Sequence, residues 1–284
     1  MIRIADEVRA ASAVVALETT LVAHGFPSGE GIAVARECER RVRDAGAVPA
    51  TIGVLDGVIR VGLTNAELER FDASARKAGP RELAACASSG ETGATTVGGT
   101  LVVCRGAGIR VMGTGGIGGV HRGARLDVSA DLAELARSQV VVVSSGVKSL
   151  LDVEATAELL ETLSVPVLGW RTDTLPRFYD AGGGPPVSHR VESVENVLRI
   201  ARQHWELGGG GVLVARPPDR SLDVAHLVEE AVEEADRTGV TGQAVTPFVL
   251  ARLHERSGGE TLRANRELVV GNAALAAELA VAAS

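Results

Sequence analysis

Aromatic side chains are nearly missing from this chain: two Trp, one Tyr and four Phe make up 2% of its 284 residues. With so few stacking groups, a net charge of −7 and no basic block, the chain lacks the cationic and aromatic footprint that nucleic acid requires. Cysteine is scarce as well. Cys38, Cys86 and Cys104 have neither metal-ligand nor redox spacing, and an odd count fits reduced structural thiols. There is no charged-then-apolar leader and no apolar run of membrane-spanning length, so the expectation is a cytoplasmic protein with no membrane contact.

The sharpest shortage is lysine. Of 29 basic residues 27 are Arg, which leaves only Lys77 and Lys148. Arg serves wherever a generic surface cation suffices, whereas a lysine amine can lose its proton and attack a carbonyl. Compositional drift explains Lys77 well enough. Lys148 follows a buried strand, and there chemistry is the better explanation.

What is present is ordinary for a globular chain: 45% apolar and 23% charged residues, with a core available from Val, Leu, Ala and Ile. Short apolar runs at 13–17, 108–112, 139–144, 165–170 and 211–215 read as buried strands. Helical spacing marks 29–45, 129–137, 191–207, 223–237, 247–256 and 260–283. Shorter helices are expected at 65–73, 81–88 and 95–104, with Lys77 between the first two. Asp56-Gly57 inside 51–61 predicts a hairpin with a tight primed turn. Ser149-Leu-Leu-Asp152 has the form of a capping box that opens a helix to about residue 163, and 173–187, rich in Gly and Pro, reads as a loop or lid. Strands alternating with helices predict an α/β fold, a three-layer α/β/α sandwich around a largely parallel, mixed sheet. No repeat or linker divides residues 1–284, so one domain is expected.

The stretch from Met112 to Asp127, Met-Gly-Thr-Gly-Gly-Ile-Gly-Gly-Val-His-Arg-Gly-Ala-Arg-Leu-Asp, formally contains a dinucleotide fingerprint at 113–118. That fingerprint should run straight into a helix, and here it runs into Gly119-Val-His-Arg-Gly123. A nicotinamide or flavin cofactor is therefore rejected. Two readings stay open for the loop: a backbone cradle for an anion, or a tight turn between packed elements.

Glu18 closes a buried strand, where desolvation would raise its pKa toward that of a general acid. Glu18 and Lys148 would project from the same sheet edge, where open α/β sheets bind ligands. Ser129 is a natural N-cap and Asp131 suits the first helical turn. Asp127 lies outside that helix, as either a solvated carboxylate or a ligand for a hard divalent cation held mainly through water. Asn265, by its spacing in the last helix, reads as a surface amide.

Several long blocks resemble the pseudouridine-5′-phosphate glycosidases, the indigoidine synthase A-like family. They are Leu17-Glu-Thr-Thr-Leu-Val-Ala-His-Gly-Phe-Pro27, Gly90-Glu-Thr-Gly-Ala-Thr-Thr-Val97, Thr114-Gly-Gly-Ile-Gly-Gly-Val-His-Arg-Gly123 and Asp127-Val-Ser-Ala-Asp-Leu-Ala-Glu-Leu135. Three more follow: Gly146-Val-Lys-Ser-Leu-Leu-Asp152, Thr246-Pro-Phe-Val-Leu-Ala-Arg252 and Asn265-Arg-Glu-Leu-Val269. The loop between His121 and Asp127 is shorter than in the family pattern, while Ser129-Ala-Asp131 keeps the register.

The resemblance implies cleavage, or in reverse formation, of the C–C bond joining uracil to ribose 5-phosphate in pseudouridine 5′-phosphate, a hydro-lyase of the carbon–oxygen lyases. It implies Lys148 as nucleophile and Glu18 as proton donor, and Asp127 as ligand for one Mn2+ or other divalent cation per subunit. Substrate contacts would come from Lys77, Val97, Thr114, His121, Ser129, Ala130, Asp131 and Asn265, in a homotrimer. A C-glycoside has no readily protonated leaving heteroatom, which makes paired-carboxylate hydrolysis unsuitable. A lysine imine at C1′ after ring opening supplies another route. The alternatives are a phosphosugar aldolase or lyase using the same lysine, and a non-catalytic phosphosugar-binding module.

Overall fold

The computed structural model describes residues 2–27, 29–123 and 127–284. The chain starts with β1 (Ile2–Ile4), α1 (Asp6–Ala10), β2 (Val14–Glu18), α2 (Thr20–His24) and α3 (Glu30–Asp44). Next come β3 (Val48–Leu55), β4 (Val58–Val61), α4 (Asn65–Leu68), β5 (Arg76–Ala78), α5 (Leu83–Ser89), β6 (Gly93–Thr95) and α6 (Val97–Ala107). The middle holds β7 (Val111–Gly113), β8 (Val120–His121), α7 (Ala130–Leu135), β9 (Val141–Ser144), β10 (Leu151–Asp152) and α8 (Val153–Thr162). The last part is β11 (Val167–Trp170), β12 (His189–Val191), α9 (Val194–Glu206), β13 (Val212–Ala215), α10 (Ala225–Arg237), α11 (Val245–Arg256) and α12 (Glu260–Ala283).

The main sheet runs β1-β4-β3-β2-β7-β9-β13-β11-β12, with β5 and β6 attached beside β3. All pairs from β3 through β2 to β12 are parallel; the hairpin β3–β4 and the pair β3–β6 are antiparallel. The expected α/β fold, a mostly parallel mixed sheet covered on both faces, is what the chain adopts. Helices α3, α9 and α12 pack together on one side, and α6 with α7 lies against β2 and β3 on the other. The central strands read as unbroken apolar runs because they are covered from both sides: Val141, Val142 and Val143 of β9 and Val212 through Ala215 of β13 are fully buried.

Asp56 and Gly57 both take positive φ, 51° and 72°, which makes the predicted primed turn between β3 and β4. One expectation changes. The helix after Lys148 is capped by Asp152, whose Oδ1 accepts the Ala155 N–H at 2.9 Å. Ser149 is not its cap, because Leu151–Asp152 first pairs as a strand with Val120–His121. Lys77 lies between two short helices, α4 and α5, as expected, and there it stands on a short strand, β5. β1, β5, β6 and β12 have only three residues each, too short for a period-two pattern to show.

Candidate active site

Strand β2 ends on Glu18, 8% exposed. The next strand in the sheet, β7, ends at Gly113, and Thr114 then donates its hydroxyl to Glu18 Oε1 at 2.5 Å. Burial holds the Glu18 carboxyl above the usual carboxylate range; the positive charge of Lys148 and the Thr114 hydrogen bond oppose this. A carboxyl whose pKa is raised in this way suits a proton donor.

Lys148 arrives from β9, the strand beside β7. The chain leaves β9 at Ser144 and turns at Gly146, where φ is +73° and a Cβ would meet the Pro176 carbonyl oxygen at 2.0 Å. Only glycine fits there. The two loops after β7 and β9 are laced together: Ser145 N–H to Gly115 O at 2.8 Å, Ile117 N–H to Gly146 O at 3.0 Å, and Lys148 N–H to Ile117 O at 3.2 Å. The nucleophile candidate therefore stands on a segment fixed by backbone hydrogen bonds.

Glu18, Lys77 and Lys148 line one cavity of about 440 Å³. Its walls also hold Arg81, Glu82, Thr96, His121, Asp127, Ser129, Ala130 and Asp131, with Gly242 from the segment ahead of α11 and Thr246 from its first turn. A narrow recess of about 50 Å³ shares Glu18, Thr20, Lys77, Lys148 and Thr246 with it. That recess is more apolar, being walled by Leu21, Phe178, Pro247 and Leu250, with Thr114 and Asn265 as polar groups. The site thus has a wide rim carrying charges of both signs, Lys77, Lys148 and Arg81 with Glu82, Asp127 and Asp131, and a narrow apolar end, with Glu18 and the two lysines common to both. A larger groove of about 710 Å³ runs beside α3 and α12, but it contains neither Glu18 nor a lysine. Three of its five arginines are paired, Arg266 with Glu37 and Arg216 with Asp219, each at 2.6 Å, and Arg263 with Glu260 at 3.4 Å.

Lys77 stands on β5 across from Ala94 of β6. Burial first, and then the charge of Lys148, push its ammonium below the ordinary lysine range.

The glycine run is a close-packing device. Added Cβ atoms would meet α12 at Gly113 (Ala273 Cα, 3.1 Å) and Gly115 (Val269, 2.9 Å), Phe178 at Gly116 (2.6 Å), Ser129 at Gly118 (2.3 Å) and Thr156 at Gly119 (2.3 Å). Three N–H groups of the run are used inside the protein: Thr114 N–H goes to Val143 O, Ile117 N–H to Gly146 O and Gly118 N–H to Asp131 Oδ2. Of the two open readings, these bonds and the close contacts favour the tight turn between packed elements. Residues 124–126 of the original stretch lie outside the described residues.

Asp131 is buried, with Oδ1 accepting the Gly98 N–H at 2.7 Å and Oδ2 the Gly118 N–H at 2.8 Å. It ties the start of α6 to the glycine run. Ser129 caps α7, its hydroxyl accepting the Asp131 N–H at 3.2 Å. Val97 opens α6 with its side chain 1% exposed in the core, and the neighbour that faces the cavity is Thr96. Asn265 is not a surface amide: it is 3% exposed, its Nδ2 points to Gly25 O at 3.4 Å, and it walls the recess. His121, on β8, is half-buried, and burial lowers its pKa below the usual imidazole range.

Asp127 keeps a side chain 49% exposed, with Oδ2 lying 3.9 Å from His121 Nδ1. Among the described residues no group of three or more His, Cys, Asp and Glu converges. The donor set is one hard, hydrated carboxylate oxygen at the cavity wall. That fits a hard divalent cation carried mostly by water and substrate oxygens, and does not fit a closed protein cage.

A family model described as "Indigoidine synthase A like protein" matches residues 3–282. The chain belongs to this family. It is 45% identical to the pseudouridine-5′-phosphate glycosidase of Geobacillus kaustophilus over 94% of this chain and 92% of that one. It is 46% identical to the Myxococcus xanthus protein of the same name, over 99% and 98%. Among solved structures, an indigoidine synthase A-like protein from Thermotoga maritima superposes with a TM-score of 0.90 at 39% identity, covering 99% of this chain and 96% of that one. The prealnumycin C-glycosynthase AlnA, in complex with ribulose 5-phosphate, superposes with a TM-score of 0.88 at 41% identity and the same coverage.

This indigoidine synthase A-like chain also places residues in the cavity that sequence reasoning did not single out. Thr20, Arg81, Thr96, Thr246, Phe178 and Leu250 are among them. Thr20, Thr96 and Thr246 sit inside the family blocks, which is the one signal that could have marked them. Phe178 carries none: it comes from the loop 173–187 and is placed by a positive φ of 66° and by its N–H bond to Ser145 O at 3.1 Å.

Proposed function

We propose that this chain breaks the C-glycosidic bond of pseudouridine 5′-phosphate to give uracil and ribose 5-phosphate, or forms it in reverse. The observation that carries the reading is the meeting of a buried, hydrogen-bonded Glu18 with Lys148 at one cavity, in a chain whose relatives bear that enzyme's name. Glu18 gives its proton to the ribose ring oxygen as the bond between that oxygen and C1′ breaks, the electrons being supplied through C5 of uracil. The neutral amine of Lys148 adds to the exposed C1′. The proton that the nitrogen loses on addition passes to the Glu18 carboxylate; the nitrogen lone pair then forms the C=N bond while the C1′–C5 bond breaks and C5 takes that proton from Glu18. Water hydrolyses the imine, freeing ribose 5-phosphate and Lys148. Arginine could not do this, because its guanidinium does not deprotonate in proteins.

The wide rim is the natural seat of the phosphate, with Lys77 as a point charge beside Ser129 and Ala130. The narrow recess, bearing Thr114, His24 and Asn265 among apolar walls, is the natural seat of uracil. One divalent cation per subunit, manganese by resemblance, would be held by Asp127; when bound it supplies positive charge toward anionic substrate oxygens. The homotrimer and a cytoplasmic location belong to the same reading; no helix among the described residues is long and apolar enough to cross a membrane.

The test is release of uracil from pseudouridine 5′-phosphate, measured with and without Mn2+. Release that depends on Lys148 is expected; none under either condition overturns the reading. A second reading, a lysine-dependent phosphosugar lyase, is favoured by one observation: a neighbour of similar fold was solved with ribulose 5-phosphate. Turnover of that ketose phosphate without uracil release would select it.

A further inference from the structure

Asn272 is fully buried in α12 and is not itself one of the residues that line the cavity or the recess. Its amide nevertheless spans the two strand ends that build the site. Nδ2 lies 2.8 Å from Thr114 O and 3.2 Å from Gly115 O, after β7, and 3.1 Å from Ser145 Oγ, after β9. The Ser145 hydroxyl can donate in return to Asn272 Oδ1 at 3.4 Å. Thr114 is the residue whose hydroxyl holds Glu18, and Ser145 begins the turn through Gly146 to Lys148.

The helix reaches the strand ends only because the chain is thinned there. A Cβ on Gly113 would stand 3.1 Å from Ala273 Cα, so the neighbouring residue of α12 already rests on the end of β7. A buried amide inside an otherwise apolar stretch of helix is costly unless its hydrogen bonds are met. Leu or Ala would pack the core without that demand. The sheet itself does not require the clamp, since Thr114 N–H already pairs with Val143 O and Ser145 N–H with Gly115 O. What Asn272 adds is orientation of the Thr114 main chain, and through it of the hydroxyl on Glu18.

We infer that Asn272 is a positioning residue that sets the Thr114–Glu18 contact and the start of the Lys148 turn as one unit. This rests on the functional reading above for its effect on turnover, but not for its effect on Glu18. The direct test is titration of the Glu18 carboxyl by carbon NMR of Glu-labelled protein, assigned by difference against Glu18→Gln. It is run on the wild type, Asn272→Ala, Thr114→Val and the double variant, with thermal unfolding to show that each is folded. Loss of a hydrogen bond to the carboxylate raises its pKa. Asn272→Ala should therefore move the Glu18 midpoint upward, in the direction given by Thr114→Val, and the double variant should add nothing further.

In uracil release, Asn272→Ala should lower kcat by about 10- to 100-fold, as expected for a small misplacement of reacting groups. KM should stay within about threefold, because the rim contacts are untouched. The basic limb of the pH profile should follow the NMR midpoint. If Asn272→Ala does not fold, Asn272→Ser, whose shorter side chain cannot span both strand ends, is read in the same way. An unchanged Glu18 midpoint in a folded Asn272 variant, or a double variant whose shift is the sum of the singles, overturns the inference whether or not uracil is released. Absence of uracil release by the wild type would instead count against the functional reading, and the titration comparison would still decide the role of Asn272.

Discussion

Lys148 and Lys77 face the same cavity and are held in different ways. Lys148 stands on the turn after a central strand, its backbone bonded to the loop of the neighbouring strand, with Glu18, whose pKa burial raises, lining the same cavity. Lys77 stands on a three-residue strand at the side of the sheet, paired only with β6, next to the exposed Arg81 and the capping Ser129. The first setting fixes one atom against a proton donor. The second offers a charge whose exact placement matters less. Burial lowers the Lys77 pKa and the Lys148 charge adds to this; a bound phosphate dianion would act in the opposite direction.

The difference can be broken most sharply at Lys148. Lys148→Arg keeps the charge and the stem, yet should cost about 10⁴-fold or more in turnover because the nucleophile is gone. Lys77→Arg should retain most of kcat. A chain in which both arginine variants behaved alike would erase the distinction.

Glu18→Gln should follow, with a loss of about 10²- to 10⁴-fold in kcat. The wild-type pH profile carries the sign. The donor must be protonated, so activity should hold below the raised Glu18 pKa and fall as pH climbs through it. The same shift bears on stability: a carboxyl that binds its proton more tightly folded than unfolded loses stability as pH rises above its unfolded value. Glu18→Gln should therefore unfold at an equal or higher temperature than wild type at pH 8, measured by calorimetry, while being nearly inactive.

Lys77→Met comes next. Removal of one charge-assisted phosphate contact should raise KM by about 10- to 100-fold with kcat within a few fold, read from steady-state uracil release. Smallest of all are the glycines. Gly118→Ala forces a methyl to 2.3 Å from the Ser129 hydroxyl and should cost about 1–3 kcal/mol in urea unfolding. Gly182→Ala, in the other glycine-rich segment, meets nothing within 4 Å and should stay within about 0.5 kcal/mol of wild type.

The sheet was legible in the sequence because its central strands are buried on both faces and read as apolar runs such as 139–144 and 211–215. Glu18 and Lys148 were legible for a related reason: each lies at or just past the end of such a run, and lysine is rare enough to stand out. The marginal strands were hidden, since three residues carry no period. The glycine run was ambiguous because a cradle and a packing contact call for the same residue, and only the neighbours, α12 and Phe178 above all, distinguish them. Asn265 and Asn272 were misread or passed over for one cause. A helical amide looks the same whether it meets solvent, a recess or a buried carbonyl, and the partners of these two lie 240 and 158 residues away in the chain.

The central claim is the covalent one. Incubation of the protein with pseudouridine 5′-phosphate and borohydride, followed by peptide mass analysis, should reduce the imine and leave a ribitol-5-phosphate adduct on Lys148. Turnover of substrate with no adduct on Lys148, or with the adduct on Lys77, would contradict the account.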